Sequence, residues 1–157
     1  MRQLDTQMVE LLGRQRLMSE LILSGLEVAV PSRDRGVDLV AYIDLVKQTG
    51  RFVAKPIQMK AASRRSFGVK RKYKKISNLV LAYVWHLDDP EHSCTYALTY
   101  DEAETIARKM GWTKTASWKR SGYNTNNPSR RLLELLQPYT MTPEKWWRKI
   151  KGRSRAA

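Results

Sequence analysis

Leu4, Met8, Leu11, Leu12, Leu17, Met18, Leu21 and Ile22 recur at a mostly helical spacing, which predicts a helix from Leu4 to Ser24 with one apolar stripe. Gly25 follows as its stop, since a glycine readily takes the left-handed conformation that ends a helix. Beyond it the period falls to two. Glu27 to Pro31, Val37 to Asp44 and Arg51 to Lys60 read as strands. They are separated by the polar loop Ser32-Arg33-Asp34-Arg35-Gly36 and by Gln48-Thr49-Gly50. Pro56 cannot donate to a ladder, so it marks a bulge, an edge or a strand start. Asn78 to Leu87 is almost continuously apolar, the pattern of a central strand covered on both faces. After a turn at Asp88-Asp89-Pro90-Glu91, Ser93 to Thr99 predicts another strand. Thr99 or Asp101 then caps a helix that runs to Met110 and stops at Gly111.

Two stretches lack clear periodicity. Ala61 to Ser77 is basic and reads as a loop with some helix, and Trp112 to Asn127 reads as loop or short strand. Pro128 to Leu136 predicts a short helix, and Thr142-Pro143-Glu144 opens a last one, Lys145 to Lys151. The order predicts an α/β fold: a mixed central β-sheet flanked by helices. One domain over residues 1–151 is expected, with a core at about 4–111, a C-terminal helical elaboration at 112–151 and a disordered basic tail at 152–157.

Charge sharpens this picture. The chain has 157 residues and a formal net charge of +14, which points to a polyanionic partner. From Leu45 to Leu87 there is no Asp or Glu, while eleven Lys and Arg fall there. A single-sign block that contains strand-like segments reads as a binding face rather than a tail. The one cysteine, Cys94, excludes an intramolecular disulfide and fits a reducing compartment. With His86 and His92 it makes too few and too badly spaced ligands for structural zinc. No stretch approaches the roughly 18 apolar residues of a membrane span, and Asp5 and Glu10 interrupt any signal-like pattern. A cytoplasmic chain with no membrane partner is expected.

The candidate chemistry lies where two strands end. Strand alternation puts Gln58 and Lys60 on one face and Met59 on the other, and Asp38 on the neighbouring strand can reach both. Metal-assisted phosphodiester hydrolysis needs a carboxylate for the ion, a second ligand, and a cation near the attacking water. Asp38 and the Gln58 amide oxygen are hard oxygen ligands suited to Mg²⁺ or Mn²⁺. Lys60 is placed to activate water or stabilise the phosphate. The basic residues that follow, Arg64, Arg65, Lys70, Arg71, Lys72, Lys74 and Lys75, are candidates for phosphate contact, as are Ser32 and Arg33. Lys119 and Arg120 join them within Thr113 to Arg131, and Trp112 and Trp118 of the polar stretch are candidates for contact with DNA. Trp146 and Trp147 fit a packing stripe better.

Gly36-Val37-Asp38-Leu39-Val40-Ala41 followed by Gln58-Met59-Lys60 resembles the PD-(D/E)XK nuclease superfamily. The likeness is greatest to its Holliday-junction-resolvase and group I intron homing-endonuclease branches, some of which carry glutamine where Gln58 stands. It covers roughly Leu12 to Trp85. The resemblance implies a restriction-endonuclease-like core and a DNA endonuclease in which Asp38, Gln58 and the Met59 carbonyl hold the metal. Lys60 would then assist the water. It further implies a homodimer or homotetramer, and a prokaryotic, phage or mobile-element origin. The family's usual glutamate on the first helix falls at Arg14, after Gly13. Glu10, one turn earlier on the same helix face, can stand in for it, whereas Glu20 points elsewhere. Arg14 keeps a second reading open, a catalytically inactive DNA-binding module on the same fold. The charge alone also allows an RNA-binding protein.

Overall fold

The computed structural model describes residues 3–43 and 52–152. The strand end at Asp44, the turn at Gln48-Thr49-Gly50 and all but the first residue of the expected tail lie outside the described residues, as do Lys47 and Arg51 of the basic block. Helix α1 (Thr6–Leu23) is capped by Asp5, whose Oδ1 accepts from the Met8 N–H at 2.9 Å. It closes at Ser24, with Gly25 at φ +89° beyond it. Its buried face differs from the expected stripe. Gly13, Leu17 and Leu21 turn inward, four residues apart, while Leu11, Leu12 and Ile22 are exposed. A glycine carries no hydropathy, so a periodicity of large residues passes over it. A Cβ on Gly13 would stand 2.5 Å from the Ala61 Cβ, so its absence is what lets α1 lie close on the sheet.

Five strands form the main sheet in the order β1 (Glu27–Ala29), β2 (Leu39–Ile43), β3 (Val53–Ala61), β5 (Val80–Trp85) and β6 (Cys94–Thr99). The β3–β5 pairing is parallel and the other three are antiparallel, so the sheet is mixed, as expected. Pro56 stands opposite Val40, one residue before pairing with β5 begins at Ile57, where one side of the ladder is open. All six residues of β5 are buried. Val80, Ala82 and Val84 pack with Leu17 and Leu21 of α1 and with Trp146 and Ile150 of α5 (Pro143–Lys151). Leu81, Tyr83 and Trp85 pack with Ala103 and Ile106 of α2 (Tyr100–Lys109) and with Leu132 and Leu136 of α4 (Arg130–Leu136). Each fully buried Leu or Ile is worth about 1.5–3 kcal/mol, and the last helix contributes to the first core as α1 does. Thr99 caps α2 in a capping box with Glu102.

The two stretches without periodicity are built. Ala61 to Ser77 contains strand β4 (Phe67–Lys70) and a short 3-10 turn, Arg71–Lys75. Trp112 to Asn127 contains a 3-10 turn, helix α3 (Ala116–Arg120) and strand β7 (Gly122–Thr125). β4 and β7 pair antiparallel as a ribbon separate from the main sheet. Phe67 and Val69 of this ribbon enter the core, and Tyr123 stacks on Trp112 with ring centroids 4.5 Å apart. Trp112 and Trp118 are each only 6% exposed, which corrects their reading as DNA contacts. Large apolar rings in a polar stretch are here the anchors that hold that stretch to the core.

Candidate functional site

Asp38 precedes β2, and its main-chain N–H donates to the Ile57 carbonyl of β3 at 2.8 Å. Its side chain is buried, and Oδ2 accepts from the Met59 N–H at 2.7 Å. The register pairs Leu39 with Ile57, so one step further Asp38 faces Gln58. β3 alternates as read from the sequence: Ile57 and Met59 are buried toward α1, and Gln58 and Lys60 are half-buried on the other face. Gln58 Nε2 donates to its neighbour's carbonyl, Met59 O, at 3.2 Å. Gln58 Oε1 is shut off from solvent and has no hydrogen-bond partner among the described residues. A buried amide oxygen left without a donor is costly unless something else meets it.

The two charged groups perturb each other's surroundings. Burial pushes the Asp38 carboxyl above its ordinary range; the Met59 N–H opposes this, while the Asp34 and Glu10 charges add to it and Arg14 counters it. Burial likewise holds the Lys60 ammonium below its ordinary value, with Lys70 and Lys72 adding repulsion and Asp38 acting the other way. Lys60 Nζ and Lys72 Nζ lie 5.6 Å and 5.3 Å from the centroid of the Tyr73 ring. Burial and the charges of Asp38 and Asp34 push the Tyr73 phenol up. Asp34 and Tyr73 therefore belong to this site, though the sequence marked neither. Asp34 looked like a turn residue, and it is one, since its Oδ1 accepts from the Gly36 N–H at 3.2 Å.

From α1, Glu10 and Arg14 both act on Asp38, and they pair with each other at 3.7 Å. Glu20 is engaged elsewhere: it accepts from the Thr95 hydroxyl at 2.7 Å and from the Trp146 indole at 3.1 Å, and pairs with Arg16. It is a packing carboxylate, as its position six residues past Arg14 implied. No three His, Cys, Asp or Glu side chains cluster among the described residues. A cation here would therefore rest on Asp38 with amide and main-chain oxygens.

The basic block divides among several surfaces. Lys70, Arg71, Lys72, Lys74 and Lys75 line a cleft of about 700 Å³ with Arg120, and its one acid, Glu104, pairs with Lys74 at 3.6 Å. Arg71 Nη1 donates to the Lys119 carbonyl at 3.0 Å, which ties β4's end to α3. Arg64 and Arg65 lie with His86 around a second cleft of about 990 Å³ that also holds Asp88, Asp89 and Glu91. Lys55 faces away from both and donates to the Lys149 carbonyl at 2.7 Å, so the block is not one face. Ser32 and Arg33 are exposed in the loop before Asp38. A smaller cavity of about 410 Å³ is lined by Lys60 and by the ribbon residues Ser66, Gly68, Lys70, Gly122 and Asn124. Sequence reasoning missed the ribbon's part because β4 meets β7 only after folding. No family model, no curated protein and no solved structure matches the chain.

Proposed function

We propose that the chain is a metal-dependent DNA endonuclease of PD-(D/E)XK type on a restriction-endonuclease-like core. The observation that carries this reading is the set at the end of β3: buried Asp38 held by the Met59 N–H, the Gln58 Oε1 opposite it with no partner among the described residues, and half-buried Lys60 on Gln58's face. The donor set fits a hard divalent ion, Mg²⁺ or Mn²⁺. Asp38, Gln58 Oε1 and the Met59 carbonyl would hold it, and Glu10 is the one further acid of α1 that acts on Asp38. When bound there, such an ion supplies Lewis-acid stabilisation and makes water a better nucleophile.

The chain's own residues do the rest. Lys60 presents a cation to the phosphate from a partly desolvated position, where its charge counts for more than in water. Lys70, Arg71, Lys72 and Arg120 grip the flanking backbone and fix the register of the strand. No helix among the described residues is long and apolar enough to cross a membrane. A homodimer or homotetramer able to cut two strands belongs to the same reading.

One observation favours the second reading, an inactive DNA-binding module. Arg14 sits where an acid would strengthen the site, and its pair with Glu10 occupies that carboxylate. Supercoiled plasmid and a synthetic four-way junction, each with Mg²⁺ and with Mn²⁺, separate the two. Cleavage by the wild type that disappears in Asp38→Ala and in Lys60→Ala supports the nuclease. Full binding in EDTA with no cleavage under either metal supports the module, and a preference for RNA in salt-titrated binding would overturn both.

A further inference from the structure

The β4–β7 ribbon turns Phe67 and Val69 into the core, and its other side is kept low. Gly68 stands opposite Asn124, and Lys70 opposite Gly122. A Cβ on Gly68 would meet Asn124 Oδ1 at 2.7 Å, and one on Gly122 would run into the Val69 carbonyl. Both glycines are buried, Gly68 beside the Asn124 side chain, so the outer side presents two exposed amides, Asn124 and Asn126. Ser66 Oγ donates to Asn126 Oδ1 at 3.0 Å and lies 3.4 Å from Asn124 Oδ1, so the two amides stand side by side. Each amide keeps its N–H₂ and a second oxygen lone pair, the donor and acceptor that match adenine N7 and N6.

Uncharged amides add little to phosphate binding, and here they sit between cations. Arg64 and Arg65 precede β4, Lys70 ends it and Arg71 follows. Strand β4 between them, Phe67–Lys70, spans roughly 10 Å at 3.3 Å per residue, and Arg71 opens the 3-10 turn beyond it. The major groove is roughly 12 Å wide and admits a two-stranded ribbon, which here carries cations at both ends of β4. The cavity that holds Asn124 also holds Lys60, so whatever lies on the ribbon lies beside the candidate catalytic lysine.

We infer that this ribbon reads base edges of duplex DNA beside the cut, with Asn124 and Asn126 as specificity-determining residues. The substrate is then a base sequence rather than a branched shape; the inference rests on the nuclease reading. The test is to digest a pool of random-sequence duplexes with Mn²⁺ and sequence the new ends for wild type, Asn124→Ala, Asn126→Ala and the near-isosteric Asn124→Asp. The wild type should leave a consensus. Each alanine should cut the ratio of preferred to non-preferred sites by about tenfold at one or two positions, the discrimination that one bidentate amide–base pair carries. Random wild-type ends, cutting only at junctions, or a consensus unchanged in all three variants would overturn the inference.

If Lys60→Ala and wild type alike cut nothing, the nuclease reading has failed by itself. The same pool is then selected for binding in EDTA. Enrichment of a sequence by the wild type that the variants lose retains the ribbon as a reader. Absence of enrichment, or a stronger selection from an RNA pool, removes it.

Discussion

At Asp38 stability and function pull in opposite directions. Burial raises its pKa, so the folded state favours the protonated form. The sign follows: its contribution to stability is present at low pH and is lost as pH rises through the range between the ordinary and the raised value. Asp38→Asn removes that charge while keeping an oxygen that can accept from the Met59 N–H. We expect Tm at pH 7 to rise by about 2–4 °C, the shift that roughly 1 kcal/mol makes in a chain of this size, while cleavage is abolished. A thermal melt across pH checks it; an unchanged or lower Tm at pH 7 sinks the idea. Lys60 has the opposite shift, downward by burial first and by Lys70 and Lys72 next. An activity that needs its ammonium form therefore fails on the alkaline side earlier than an ordinary lysine would dictate. Lys70→Ala should move that limb to higher pH, and Lys60→Arg, which cannot deprotonate, should flatten it while lowering the rate. A pH–rate profile of all three proteins reads both effects.

Helix α1 shows what an element does for the site and why the sequence described it incompletely. Glu10 and Arg14 act on Asp38 because α1 lies close on β3, and Gly13 makes that approach possible. Gly13→Ala would gain about 1 kcal/mol of helix propensity in isolation. In the fold its methyl meets the Ala61 Cβ at 2.5 Å, a rigid neighbour, so the net result should be destabilisation and a displaced helix. Ala61→Gly in the same chain should restore stability, and a double-mutant cycle by denaturant unfolding measures the coupling. Additive losses would show that the two positions do not meet. Arg14→Glu probes the same helix face for chemistry: an acid there should lower the Mn²⁺ concentration needed for half-maximal cleavage, and no change would put Arg14 outside the metal's reach.

Gly13 stood in the sequence only as a landmark, because a helix read by its large apolar residues has no place for a buried glycine. The opposite held for β5, whose run of apolar residues needed no partner to be recognised, and for Gln58 and Lys60, whose shared face follows from the two-residue period alone. The ribbon was legible only in part, a short strand being one reading of Trp112 to Asn127, because four-residue strands are too short to establish a period and their pairing is a long-range event. For the same reason the site's lysine was found from the sequence and the cavity around it was not.

Over the whole molecule, a net charge of +14 says that a polyanion is attracted but not where it lies. The structure distributes the basic residues over separate clefts on different surfaces. Arg71 and Arg120 line the cleft beside the ribbon, whereas Lys55 lines another cleft, away from the ribbon, where it donates to the Lys149 carbonyl. Removing one cation from its phosphate should reduce the slope of log K against log salt by about 0.9 for duplex DNA. Arg71→Ala with Arg120→Ala should therefore flatten the slope by about 2, uniformly across sequences, since such cations position the duplex without reading it. Lys55→Ala lowers the net charge too, and should leave the slope where it was. Binding of one short duplex followed by fluorescence anisotropy over a range of KCl compares the three proteins directly. If Lys55→Ala flattened the slope as much per charge as the cleft variants, bulk charge rather than a placed surface would hold the DNA, and the cleft would lose its role.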